Sequence, residues 1–250
     1  MKPQQGETPR RRRPQAAPPT AYRRWVQQVI WLSAWLLTRV IRTDVQGHRP
    51  TAPCIIVSNH LHYLDIPLAG RYAVSCGEHV HWLAKTELFG VPVIGAVLRG
   101  MQTVEIHRGS ADRRAMEAII AFARQEKVWI FPEGHRSDSG RLQEGKEGTV
   151  LVARKAGSPL VPVAISGTEA GLLALLLRRR VLRIRMGAPF TLPAGQSRSQ
   201  GVAEIMRRIE DLLPEERHRL VVQLESARRV TAGEQVSEAG SARASSPARP

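Results

Sequence analysis

The sequence predicts an α/β fold, a mostly parallel sheet flanked by helices, with an amphipathic helix ahead of it. Three observations carry this. From residue 53 onward, short runs rich in Val, Ile and Trp alternate with longer helical stretches. Strands alternating with helices build parallel sheets covered on both faces. The most hydrophobic long segment, 21–42, stands outside that alternation, and Gln27, Gln28 and Arg39 interrupt it.

Residues 1–20, rich in Pro, Arg and Gln, read as a disordered basic arm. Segment 21–45 reads as an amphipathic membrane-surface helix, with a membrane span and a plain core helix as the alternatives. At 3.6 residues per turn, Trp25, Val29, Leu32, Leu36 and Val40 share one face, with Val26, Ile30, Leu37 and Ile41 beside them. Arg24, Gln27, Gln28, Thr38, Arg39 and Arg42 gather opposite, where Trp31 and Trp35 suit a lipid interface. No unbroken apolar run of about 18 residues exists, and no A-x-A-like cleavage site follows.

A folded domain then spans 46–230. Its predicted strands are 53–58, 80–84, 101–106, 128–131, 160–165 and 181–186. Its predicted helices are 64–75, 110–126 capped by Ser110, 146–156, 199–212 and 214–228, with Pro214 in the first turn of the last. Residues 231–250, rich in Ala, Ser, Arg and Gly, read as a disordered tail. Segment 170–180, "AGLLALLLRRR", reads either as a core piece with a solvated end or as a second apolar-then-basic surface contact.

The formal net charge is +15, which favours anionic partners: lipid head groups, phosphorylated substrates or nucleic acid. Residues 1–24 hold seven Lys/Arg against the single Glu7, and Arg178, Arg179, Arg180, Arg183 and Arg185 form a second cluster. No nucleic-acid motif accompanies this charge. Two cysteines, Cys54 and Cys76, suggest no disulfide framework and a reducing compartment.

Polar clusters follow three predicted strands directly. Asn59-His60…Asp65 follows 53–58, His107-Arg108-Gly109 follows 101–106, and Pro132-Glu133-Gly134-His135-Arg136-Ser137 follows 128–131. In one parallel sheet all three meet at the carboxyl ends of the strands, where such folds bind ligands. His60 on the loop and Asp65 in the first helical turn can meet. The carboxylate then fixes the tautomer and leaves the other ring nitrogen as a base. With eight His and five Asp in 250 residues, chance yields such a spacing in roughly one sequence in six, so context must decide. The plainer alternative is a capped helix start with an incidental histidine.

No G-x-S-x-G turn supplies a nucleophile. His60, His62, His79 and His81 form two H-x-H pairs, but no Cys joins them and no H-E-x-x-H occurs, so no metal is assigned. Direct deprotonation of a bound alcohol is the remaining use of the pair. Arg108 and Arg136 carry planar donor forks suited to phosphate, and Gly109 and Gly134 permit tight turns beside a ligand. Glu133 can anchor an arginine or accept from a substrate hydroxyl.

Four blocks resemble those of the glycerolipid acyltransferases, the 1-acylglycerol-3-phosphate acyltransferase family. "NHLHYLD" resembles its N-H-x-x-x-x-D motif. "WLAKTELFGVPVIGAVLRGMQTVEIHRG" looks like its second block, "IFPEGHRS" like its F-P-E-G-T-R-S block, and "PLVPVAISG" like its proline-bearing fourth. They cover roughly residues 50–190 in the expected order. His62 stands where Ser is common, His135 where Thr is usual, and Gly145 where Phe often precedes Lys146.

The resemblance implies acyl transfer from a thioester to a lysolipid hydroxyl, with His60 as base and Asp65 orienting it. It implies substrate-binding roles for Asn59, Arg108, Glu133, Gly134 and Arg136, which would hold the acceptor phosphate, and for Pro162, near the acyl chain. It implies no cofactor, with acyl-CoA or acyl carrier protein as co-substrate. The expected partners are a lysophospholipid and an anionic membrane surface, and the expected place is the cytoplasmic face of the cell membrane. Lysophosphatidate is the expected acceptor. A lyso-ornithine lipid, or a non-catalytic lipid-binding role on the same fold, are the alternatives. Activity is expected to fall on acidification as His60 protonates.

Overall fold

The computed structural model describes residues 20–73, 79–107, 112–137 and 141–214. The basic arm, Cys76, Arg108, Ser110, the predicted helix 214–228 beyond its first residue and the C-terminal tail lie outside these residues. The chain runs α1 (Thr20–Val40), β1 (Arg42–Gly47), β2 (Cys54–Ser58), α2 (Asp65–Ala73), β3 (Val80–His81), β4 (Leu83–Lys85), α3 (Thr86–Phe89) and α4 (Pro92–Gly100). It continues through β5 (Val104–Ile106), α5 (Arg113–Ala123), β6 (Lys127–Ile130), α6 (Gly148–Ala156), β7 (Leu160–Ser166), α7 (Gly171–Leu176), β8 (Val181–Met186) and α8 (Arg198–Glu210).

Six strands form one sheet in the order β1-β8-β7-β2-β6-β3. Strands β2, β3, β6 and β7 run parallel, β7 and β8 pair antiparallel, and β1 pairs parallel with β8. The central strands β2, β6 and β7 are buried at every position, as expected of strands covered on both faces. Alternate residues feed two cores. Cys54, Ile56, Trp129, Val161, Val163, Ile165, Leu182 and Ile184 pack beneath α1, α2 and α7. Ile55, Val57, Val128, Ile130 and Leu160 pack beneath α5, α6 and α8. A one-residue slip of any strand would exchange the two sets.

Four expectations need correction. The N-terminal helix ends at Val40, not at 42 or 45, because Ile41 turns into the core at 3% exposure and Arg42–Gly47 forms an edge strand. The run 80–84 splits at Trp82, whose ring leaves the strand line to stack on Trp129 at 4.7 Å. Strand 101–106 shortens to β5, because Gln102 takes a left-handed φ of 52°. Helix α5 is capped by Asp112, not Ser110: the Asp112 carboxylate accepts the Ala115 amide at 3.0 Å.

Helix α1 divides its apolar residues between two surfaces. Val26 is buried, Leu37 packs against the core with Ile41 just past the helix end, and the Tyr22 hydroxyl donates to the Ala96 carbonyl at 2.8 Å. Val26 also fills the space above Gly100, where a Cβ would meet its methyls at 2.8 Å. The stripe Trp25, Val29, Leu32, Leu36 and Val40 faces away from the domain. Among the described residues, no helix is long and apolar enough to cross a membrane.

Candidate active site

Strand β2 delivers Asn59 and His60 to the carboxyl edge of the sheet, and β6 beside it delivers Phe131, Pro132 and Glu133. Between them the first turn of α2 presents Asp65. The His60 Nδ1 lies 2.9 Å from Asp65 Oδ2. The same oxygen accepts the backbone amides of Leu61 at 2.7 Å and His62 at 2.8 Å. Three donors thus converge on one buried oxygen, which serves as their common acceptor. The ring must therefore donate through Nδ1, which leaves Nε2 with a lone pair in the neutral imidazole.

One ring stack and two backbone hydrogen bonds hold the residue further. Its ring stacks on Phe131 at 4.0 Å and 15°. The His60 amide donates to Glu133 Oε1 at 3.0 Å, and its carbonyl accepts the Ser137 amide at 2.8 Å. Its side chain keeps 13% exposure, against none for Asp65, so solvent reaches only part of the ring. Glu133 is itself buried, and its Oε2 accepts the Gln143 amide at 3.2 Å. Burial pushes the Glu133 carboxyl up to about 7; the two amide donors oppose the shift, and the Asp65 charge adds to it.

The predicted site residues separate into distinct places. His60, Asp65 and Glu133 meet. Glu133 accepts two backbone amides, so it holds the loop, and it pairs with no arginine among the described residues. Asn59 is spent on the fold: its Nδ2 donates to the Ile165 carbonyl and its Oδ1 accepts the Ile165 amide, both at 2.8 Å. That pairing locks the loop after β2 to β7. Pro162 lies mid-strand, paired with Val57 and packed on Gly187, three residues short of the level at which Asn59 binds β7. Arg136 is exposed on the loop after β6, and Arg108 lies outside the described residues.

The expected convergence of three strands in one sheet holds for two. Strand β5 pairs with β4 in a separate two-stranded sheet, because the Val104 amide donates to the Trp82 carbonyl where the chain leaves β3.

Two features of the site escaped the motif pattern. Phe131 ends an apolar strand, and nothing in its type marks it as the floor beneath an imidazole. Lys146 is the other. Its backbone amide donates to the Pro132 carbonyl at 2.8 Å, and its Nζ lies 3.0 Å from where a Cβ on Gly134 would stand. Gly134 has a φ of 72°, so this glycine both permits the turn and leaves room for the ammonium. Gly145 is required for a different reason: a Cβ there would meet Val202 and Met206 of α8 at 2.9 Å, leaving no space for a phenylalanine.

A family model described as Acyltransferase matches residues 41–166, half of the chain and all of this site. The chain belongs to the acyltransferase family. Similar proteins include a chloroplastic 1-acyl-sn-glycerol-3-phosphate acyltransferase of Brassica napus, 37% identical over 51% of this chain and 38% of that protein. A lyso-ornithine lipid O-acyltransferase of Pseudomonas aeruginosa is 31% identical over 56% of this chain and 55% of its own. This acyltransferase-family chain therefore spans between a third and just over half of the curated relatives it matches. The crystal structure of the 1-acyl-sn-glycerophosphate acyltransferase PlsC from Thermotoga maritima superposes with a TM-score of 0.58 at 25% identity, covering 76% of this chain and 80% of that one.

Proposed function

We propose that this protein transfers a fatty acyl group from acyl-CoA or acyl carrier protein to the free hydroxyl of a lysophospholipid. The preferred acceptor is 1-acylglycerol-3-phosphate, giving phosphatidate. The observation that carries the reading is the Nε2 of His60, without a partner among the described residues, on a ring oriented by Asp65 at 2.9 Å at the carboxyl edge of the sheet. His60 Nε2 takes the acceptor's hydroxyl proton as the oxygen attacks the thioester carbonyl. The resulting imidazolium is stabilised by the Asp65 carboxylate. Collapse of the tetrahedral intermediate breaks the C–S bond, and the leaving thiolate recovers the proton from Nε2. The thioester supplies the driving force, so the reaction calls on no metal or organic cofactor.

The acceptor and product are lipids, and the exposed stripe of α1 offers an apolar surface to a bilayer. The Arg39 guanidinium lies 4.8 Å over the Trp35 ring, an amphipathic pair suited to the head-group layer. We place the protein on the cytoplasmic face of the membrane as a peripheral enzyme.

The test is thiol release from acyl-CoA on adding lysophosphatidate. The reading expects turnover by wild type and a loss of at least about 100-fold in His60→Ala. Wild type inert toward every lysolipid would reject it. The lyso-ornithine acceptor of the Pseudomonas relative makes a second reading specific. Faster turnover of lyso-ornithine lipid than of lysophosphatidate would decide for it.

A further inference from the structure

The large exposed hydrophobic residues are one-sided. They lie on α1 (Trp25, Val29, Trp31, Leu32, Leu36 and Val40), on the α3–α4 segment, at Tyr63 before α2, and on α7. The described residues of α5, α6 and α8, on the opposite face of the sheet, contribute none. Helix α7 shares the core beneath α1: Leu172 and Leu175 pack in the same cluster as Leu37 and Ile41. Only Leu175 is fully buried, while Leu173 and Leu177 remain 70% and 54% exposed. Thus α7 is held by Leu175 with Leu172 beside it, and it presents Leu173, Leu176 and Leu177 outward.

Three arginines follow at once. Arg178, Arg179 and Arg180 are exposed, and their side chains pair with no acid among the described residues. The turn that displays them has a costly backbone. The Arg179 amide bonds the Ala174 carbonyl and the Arg178 amide the Leu175 carbonyl, both at 3.0 Å, closing the helix in a Schellman pattern. The residue that must be left-handed in this pattern is Arg178, with a φ of 56°. Glycine is the favoured residue there, and a side chain is strained. The fold gains nothing visible from an arginine at that point.

We propose that the α7 tip is a second membrane contact, in which Leu173, Leu176 and Leu177 enter the acyl boundary of an anionic bilayer and Arg178–Arg180 bind its head groups. It rests on the lipid-substrate reading above and adds an electrostatic anchor separate from α1. Apolar residues followed by unpaired cations match the polarity order of a leaflet seen from inside outward.

Full-length protein is sedimented with vesicles of phosphatidylcholine alone or with added phosphatidylglycerol. Replacing Arg178, Arg179 and Arg180 together by Gln is expected to weaken binding to the anionic vesicles on the order of 10- to 100-fold. Binding to phosphatidylcholine, and turnover of a short-chain lysophosphatidate below its micellar concentration, should stay within about twofold. Arg178→Gly separates recognition from folding: it should unfold no earlier than wild type, because strain is relieved, yet bind anionic vesicles several-fold more weakly. A folded triple variant that binds anionic vesicles like wild type overturns the proposal. Loss of binding in a protein without acyl transfer would instead remove the proposed reaction and leave the anchor standing.

Discussion

Glu133 accepts the backbone amide of His60 at 3.0 Å, so the loop after one central strand holds the base carried by its neighbour. The link fixes the main chain beneath the imidazole, while Asp65 fixes the ring itself. Two carboxylates thus divide the orientation of one base, and their removal should have different signatures.

Asp65→Asn keeps the shape and removes the charge. Its carbonyl can take the place of Oδ2 and keep the three donors, which leaves the amide NH₂ buried at the place of Oδ1, where no acceptor stands among the described residues, and the side chain would no longer stabilise the imidazolium. We expect kcat to fall about 10²- to 10⁴-fold. Unfolding should become easier by about 1–3 kcal/mol, from the unsatisfied buried donor. Steady-state kinetics with acyl-CoA and urea denaturation check both. Wild-type kcat in this variant would exclude the orienting role.

Glu133 makes stability pH-dependent. Its carboxyl is raised from 4.5 to about 7 in the fold, so the folded state binds this proton more tightly than the unfolded chain. Its contribution is fully present below pH 4.5 and is lost as pH rises through 7. Glu133→Gln lacks this dependence. The unfolding free energy of wild type minus that of the variant should fall on the order of 2–3 kcal/mol across that window. Paired denaturation curves at several pH values measure it, and parallel profiles would contradict it.

Asn59→Ala should act through the fold. The substitution strands the buried amide and carbonyl of Ile165, at a cost of about 2–4 kcal/mol. Where the protein remains folded, KM for the acceptor should change less than twofold, because the amide faces β7. A large KM effect with little loss of stability would return Asn59 to the binding surface.

A second His-Asp pair supplies a control. His107 Nδ1 lies 2.9 Å from Asp112 Oδ2, with the same five-residue spacing as His60 and Asp65. Its histidine is 62% exposed, against 13% for His60, and no ring stacks on it among the described residues. Here the aspartate caps α5. Asp112→Ala should cost about 1 kcal/mol of stability. His107→Ala should retain activity within about twofold, whereas His60→Ala should abolish it.

That twin pair also marks how far the sequence could be read. Spacing alone does not separate His60 from His107; the apolar strand before the first and the neighbouring strand with its Phe131 floor do. The parallel core was legible because fully buried strands are continuous apolar runs. Strand β1 was not, because "RTDVQG" carries one large apolar residue and takes its identity from pairing with β8. Helix α4 hid inside an apolar stretch without polar alternation, although Pro92 marks its start. The backbone partners of Asn59 and Glu133 could not be read from the motif, because polar residues in a motif look alike on paper. Whether such a side chain meets a substrate or a backbone amide depends on β7 and on Gln143, both far along the chain.

Strand β1 bonds to β8 and to no other strand among the described residues, with Arg42 opposite Val181. A ribosome delivers β8 only some 140 residues after β1 (181 − 42 = 139). This edge of the sheet therefore closes only once β8 has been made, long after α4 has supplied the Ala96 and Gly100 contacts on which α1 rests.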